Sequence, residues 1–214
     1  KISDMIICST FYLAQLYKKF NKNCKVISNA IDFNKWKFKK ESNIYQNLKI
    51  GWIGGGNHEE DLRVIQIITP KVLKFFSNIE FYFVHGIPNY LKKFRSKRVK
   101  LIKNWVTIDK YPETLASYKL DIGFAPLKIN KFNMAKSNLK WLEYSALKIP
   151  CIATDIEPYS RSIEHNKTGF LATHWEDWLD CLYKLISNRQ LILRIGNNAY
   201  NEVKQNYNLD TITD

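Results

Sequence analysis

From Leu48 onward, short and almost wholly apolar runs alternate with amphipathic stretches, and this alternation restricts the fold more than any other feature of the 214 residues. The pattern predicts strands at Leu48 to Ile53, Glu80 to His85, Val99 to Ile102, Asp121 to Ala125 and Cys151 to Thr154. Between them it predicts helices at His58 to Phe76, Asn89 to Ser96, about Pro112 to Tyr118, and Ser137 to Leu147. Strands that are apolar at nearly every position are buried on both faces, and strands alternating with helices form right-handed crossovers. The expected fold class is α/β, a doubly wound parallel sheet with terminal helices.

The chain before Leu48 reads differently. A short strand at Met5 to Ser9, a helix through about Phe20 and a strand at Lys25 to Ser28 precede a Lys-, Asn- and aromatic-rich segment, Asn29 to Asn47, that reads as a linker. The composition shift divides the chain into residues 1–47, 48–190 and a C-terminal helix at 191–214. After the last predicted strand come a short helix near Pro158 to Glu164, a turn at Thr168-Gly169, and helices at Trp175 to Ser187 and Arg189 to Asn206. Trp175 and Trp178, with Leu179, Leu182, Leu185 and Ile186, have the spacing of a core-facing helix stripe.

Lys and Arg number 33 against 20 Asp and Glu, a formal charge of +13 that permits nucleic acid, an anionic membrane or a phosphorylated substrate as partner. Much of the Lys is scattered. The densest cluster is Lys92, Lys93, Arg95, Lys97, Arg98 and Lys100, a solvated face that is also the best candidate for attachment to an acidic surface. Cys8, Cys24, Cys151 and Cys181 show no paired spacing and read as buried free thiols of a reducing cytoplasm. They form no ligand pattern with His58, His85, His165 or His174, so no metal site and no cofactor are expected. No apolar run reaches the ~20 residues that span a bilayer, and no signal-peptide core is evident. The first residue is Lys and leads directly into an apolar run, as in a fragment.

Two segments carry candidate chemistry. In Lys136 to Pro150, at about 100° per residue, Lys136, Lys140 and Glu143 fall within roughly 60° on one helix face. A helix start bearing Lys suits a phosphate, and a carboxylate deeper in the helix suits hydroxyl groups. The same spacing also suits a Lys/Glu ion-pair face on a solvated helix. The second segment, Gly51 to Asn57, includes Gly54, Gly55 and Gly56 between a strand and a helix, where a ligand can approach the backbone. It fails the dinucleotide fingerprint because Glu59 occupies the third glycine position, and it lacks a Walker ending. In a doubly wound sheet, this loop and the start of the Lys136 helix both lie beyond the carboxyl ends of the strands, where ligands bind.

An ordered series of segments resembles GT-B glycosyltransferases of family 4. Val26 to Asp32 resembles their "vIpNGvD" junction, and Ile50 to Asn57 the opening of their C-terminal nucleotide-sugar domain. Leu120 to Leu127 resembles "aDv.v.PS", Glu143 to Ala153 "EAMA.G.PVVA", and Asn166 to Leu171 "nG.tGlLv". The resemblance implies a Rossmann-like sheet forming the C-terminal half of a GT-B fold, with residues 1–47 a remnant of the N-terminal acceptor domain. Glu143 matches the second glutamate of the E-x7-E motif, the ligand of the donor ribose. The first would fall at Ala135, and the chain looks instead like the subgroup with a KSxxKxxEY motif, here KSNLKWLEY.

Family members commonly carry Arg and Lys after the glycine loop, where this chain has Gly56, Asn57 and His58. The resemblance therefore points to Lys136 and Lys140 as electrophiles for the diphosphate, with Ser137, Asn138 and Leu139 beside them and Trp105 and Val106 near the base. It implies metal-free, retaining transfer of a sugar from a nucleotide-diphosphate donor to a glycan or lipid-linked acceptor, in polysaccharide biosynthesis. It also implies a cytoplasmic setting, with peripheral contact at an anionic inner membrane surface and no nucleic-acid partner. Two alternatives remain open: a GT-B sugar-nucleotide epimerase, and a basic nucleic-acid-binding module.

Overall fold

The computed structural model describes residues 3–37, 47–55, 58–86 and 88–212. The chain opens with β1 (Ile6–Cys8), α1 (Phe11–Tyr17) and β2 (Cys24–Val26). There follow β3 (Leu48–Gly54), α2 (Arg63–Phe75), β4 (Ile79–His85), α3 (Asn89–Lys92) and β5 (Val99–Ile102). A 3-10 turn (Ile108–Lys110) leads into α4 (Tyr111–Ser117), β6 (Ile122–Ala125), α5 (Lys131–Met134) and α6 (Leu139–Ala146). The chain continues through β7 (Cys151–Thr154), α7 (Tyr159–Ser162), β8 (Phe170–Ala172), α8 (Trp175–Ser187), α9 (Arg189–Asn206) and α10 (Leu209–Ile212). Strands β1 and β2 pair in parallel as a small separate sheet, and the other six form a parallel sheet in the order β5-β4-β3-β6-β7-β8.

The expected doubly wound α/β architecture is present, and side-chain alternation explains it. Ile50, Trp52, Phe81, Phe83, Ile122, Phe124 and Ile152 point to one core, closed by α2 and α8 through Ile65, Ile68, Trp178 and Leu182. Ile53, Val84, Ala125, Cys151 and Ala153 point to the other, closed by α4 and α6 through Leu115, Trp141, Leu142 and Tyr144. Every residue of β6 and β7 is buried, as near-continuous apolar runs require. Helix α6 lies very close to the sheet. A Cβ at Gly123 would stand 2.6 Å from the Tyr144 ring, so the helix bearing the KSNLKWLEY segment depends on a glycine in the strand beneath it.

Several expected boundaries move for identifiable reasons. Helix α2 starts at Arg63 rather than His58, because Asp61 turns inward to accept hydrogen bonds from the Lys128 backbone N–H and the Asn133 amide. Helix α3 ends at Lys92 rather than Ser96, giving way to turns that let Ser96 bridge Val99. The Arg98 guanidinium then donates to the Leu73 and Phe76 carbonyls at the end of α2, satisfying acceptors that a helix C-terminus leaves open. Two short elements, α5 and β8, escape a reading based on periodicity. Part of the expected linker, residues 38–46, lies outside the described residues. The described part of that linker is tied to the chain end, since Ile31 exchanges backbone hydrogen bonds with Tyr207 and Leu209. The four cysteines are free, with Cys24 only partly buried. Among the described residues, no helix is long and apolar enough to cross a membrane.

Candidate functional site

Strand order reverses between β3 and β6, which pair at Ile50 with Ile122 and Gly51 with Gly123. Crossovers leave in opposite directions at such a point and open a crevice beyond the carboxyl ends of the strands, where ligands bind in open α/β sheets. Gly54 ends β3 and Gly55 follows it, so the glycine loop leaves the sheet at this crevice. Gly56 and Asn57, the rest of the expected loop, lie outside the described residues. The Gly86 N–H donates to the Gly54 carbonyl at 2.9 Å and binds the ends of β3 and β4 together.

Lys140 and Glu143 both lie on α6, partly buried beneath this loop. The Lys140 ammonium donates to the Ile53 carbonyl and stands 5.5 Å from the centre of the Trp52 ring. Burial, opposed by the Glu143 charge, holds its pKa below the ordinary lysine value. Glu143 accepts a 3.1 Å hydrogen bond from the Tyr111 hydroxyl. Burial pushes the carboxyl up, against the pull of Lys140 and of Tyr111. Burial and the Glu143 charge raise the Tyr111 phenol as well, so it remains a donor.

Lys136 does not share the helix face expected for it. It sits in the turn between α5 and α6, three residues before the first helical residue. Its ammonium pairs with Asp61 Oδ2 at 3.3 Å. Asp61 is the hub of this side of the site, buried to 6 % exposure. It also lies 2.8 Å from His58 Nδ1 and accepts from the Lys128 N–H and the Asn133 amide, each at 2.7 Å. Burial opposes its ionisation, but the hydrogen bonds from His58, Lys128 and Asn133 together with the Lys136 charge prevail and hold the carboxyl below the usual aspartate value. Ser137 Oγ accepts from the Asn29 amide at 2.8 Å and ties the linker to this turn. The Asn138 amide donates to Ser162 Oγ at 2.9 Å, and Leu139 is 40 % exposed at the first position of α6.

Trp105 stands on the loop after β5, 70 % exposed, with the half-buried Val106 next to it. Its ring stacks on His85 at 4.8 Å between centroids, and a Cβ at Gly55 would meet it at 3.9 Å, so Trp105 and the glycine loop are neighbours. His85 ends β4 at φ 74°, a left-handed conformation uncommon outside glycine. Burial and the Lys140 charge lower its pKa and favour the neutral imidazole. Among the described residues, neither its Nδ1 nor the Trp52 Nε1 has a hydrogen-bond partner, and both are buried beside the glycine loop. Such buried unpaired polar atoms are rare in proteins.

Thus Gly54, Gly55, Trp105, Lys140 and Glu143 come together at one sheet edge, with Lys136 joined to them through Asp61. Asp61, His85 and Tyr111 were not legible as site residues. Only His85 carried a signal, its position at the carboxyl end of a strand. The arrangement can present cations and backbone N–H groups to an anion, a carboxylate to hydroxyls, and an exposed aromatic face to a planar ring.

Neither a scan of protein-family models nor a search of curated protein sequences returns a match. Solved structures do match. TarM, a Staphylococcus aureus protein, aligns over 98% of this chain and 42% of its own length at TM-score 0.73 and 18% identity. HepE of Anabaena, solved in complex with UDP and glucose, aligns over 98% of this chain and 61% of its own at TM-score 0.74 and 16% identity. The C-terminal domain of a group 1 family glycosyl transferase, LpcC of Francisella tularensis, aligns over 84% of this chain and 99% of its own at TM-score 0.65 and 19% identity. The chain therefore spans less than half the length of TarM and nearly all of an isolated C-terminal domain. Its fold is that of the C-terminal, Rossmann-like domain of GT-B glycosyltransferases.

Proposed function

We propose that this chain is the donor-binding half of a retaining GT-B glycosyltransferase of family 4 type, which moves a sugar from a nucleotide-diphosphate donor to a glycan or lipid-linked acceptor. The observation that carries the reading is the meeting of the glycine loop, Lys140 and Glu143 at the β3/β6 switch point. The UDP and glucose in the HepE complex, a neighbour of the same fold, support a nucleotide-sugar ligand.

Each residue has a role in this reading. Glu143, steadied by Tyr111, accepts hydrogen bonds from the ribose hydroxyls. Backbone N–H groups of the Ser137 to Leu139 turn and of Gly55 face the diphosphate, since the start of α6 leaves its first N–H groups unpaired, and Gly54 at the end of β3 lets the ligand come close to the backbone. Trp105 offers its exposed face to the base, with Val106 beside it. Departure of the sugar builds negative charge on the diphosphate, and Lys136 and Lys140 stabilise that charge more strongly in the transition state than in the ground state. Asp61 positions Lys136 without contacting the donor. A lipid-linked acceptor adds peripheral contact with an anionic membrane to this reading.

Calorimetric titration with UDP, GDP and several UDP-sugars tests the donor assignment. The expected result is saturable binding of a nucleoside diphosphate that weakens in Glu143→Ala and Trp105→Ala. Absence of binding by a folded chain would contradict the reading. Turnover in Lys136→Ala or Lys140→Ala enzyme carrying its acceptor domain should fall on the order of 100-fold or more if either ammonium meets the leaving group.

A further inference from the structure

The donor site absorbs the chemistry of the switch point and leaves unused the most cationic part of the surface, at the far edge of the sheet. Strand β5 is the outermost strand beside β4, and among the described residues no strand pairs with its other edge. A cleft of about 370 Å³ runs along that edge, lined by Arg95, Ser96, Lys100 and the apolar sides of Val99, Leu101 and Tyr82. Lys92 and Lys93 precede it in the chain, Lys97 lies between its lining residues Ser96 and Val99, and all three are exposed. Arg98, within the same basic run, does not contribute, because its guanidinium is turned inward onto the Leu73 and Phe76 carbonyls. The neighbouring acid is Glu80, which accepts from the Asn47 amide and the Tyr82 hydroxyl and whose carboxyl feels the charges of Lys100 and Lys49.

We infer that the β5-edge cleft is a binding site for the phosphorylated headgroup of an anionic membrane lipid. Arg95 and Lys100 meet the phosphate, Ser96 offers a hydroxyl, and the apolar floor takes the glycerol end of the lipid. Lys92, Lys93 and Lys97 add long-range attraction to the negative surface around it. Charge complementarity selects the occupant, with five cations at or flanking the cleft and one nearby carboxylate already engaged by hydrogen bonds. A single-stranded nucleic acid fits less well, because stacking needs exposed aromatic faces and, among the described residues, the one aromatic ring lining this cleft, Tyr82, is partly buried and covered by Lys49 at 5.6 Å. Strand β5 ends at Ile102, which also lines the cleft, and Trp105 follows three residues later, so the cleft reaches the sheet edge that carries Trp105. Binding there would hold the donor crevice next to the bilayer surface. The inference extends the membrane part of the proposed function and does not depend on the donor assignment.

Co-sedimentation of the whole chain with vesicles tests it. Wild-type protein should bind phosphatidylcholine vesicles that contain phosphatidylglycerol, release them as salt rises, and ignore phosphatidylcholine alone. Arg95→Ala and Lys100→Ala should each weaken binding about fivefold. Arg194→Ala and Lys204→Ala, which remove the same charge from the exposed face of α9, should have no comparable effect. Equal losses in both pairs would show attraction by net charge alone and overturn the site. So would failure of wild type to bind, or capture of an oligonucleotide in preference to the vesicles. Retained UDP binding in all four variants reports folding and the donor site separately.

Discussion

Burial sets the charges of Glu143 and Asp61 in opposite directions, and each shift has a measurable consequence. Glu143 titrates above its ordinary value because burial disfavours the carboxylate more than Lys140 and Tyr111 favour it. A group raised in this way contributes stability that is complete below its unfolded pKa and lost as pH rises through its folded pKa. At neutral pH the carboxylate is therefore a cost, and Glu143→Gln should raise the melting temperature by about 2–4 °C, equivalent to roughly 1 kcal/mol. The same change should weaken nucleoside diphosphate binding, since an amide is a poorer acceptor for two hydroxyls. Paired melting and calorimetry measurements check both halves. Asp61 is depressed, so its contribution is complete above the unfolded value and disappears as pH falls through the lower folded one. Asp61→Asn should cost about 1–3 kcal/mol in urea unfolding at neutral pH, and the gap from wild type should narrow as pH falls below the ordinary aspartate range.

Helix α6 holds most of the site, and the elements around it are fitted to it closely. Helix α9 packs on the turn that follows α6, where the Lys148 carbonyl occupies the space a Cβ at Gly196 would need. Gly to Ala in an open helix gains about 1 kcal/mol, but here the obstacle is backbone and cannot swing aside. Gly196→Ala should therefore destabilise the fold by about 1–3 kcal/mol, as overpacking does, and should shift α6 enough to reduce donor affinity. Denaturant unfolding and the same calorimetric titration would show whether the two effects travel together. Element boundaries followed local sequence where packing agreed with it: β5, β7, α8 and α9 occupy the residues that periodicity indicated. They departed from it where a long-range contact intervened, as when Asp61 turned away from α2 to reach Lys128 and Asn133.

For the molecule as a whole, stability should be graded across the sheets. Strands β6 and β7 are buried at every residue between two cores, whereas β1 and β2 form a two-stranded sheet with Ile7 57% and Val26 40% exposed. Two strands with an open apolar face are marginal alone, so amide hydrogen exchange should proceed first in β1 and β2 and last in β6 and β7. Mass-spectrometric exchange read by segment would check this order, and equal protection in both sheets would contradict it.

The sequence alone determined the class of fold, because runs apolar at every position have few solutions other than a sheet covered on both faces. It also determined that the glycine loop and the start of the Lys136 to Pro150 segment share one edge, since in a parallel sheet every strand ends on the same side. Tertiary structure alone decided what those residues touch. Lys136 left the helix face and paired with Asp61, an aspartate 75 positions away, while Tyr111 reached Glu143 across 32 positions. Periodicity reports which side of an element is buried, but the partner met there is set by how the elements cross, and neighbouring residues carry no record of that.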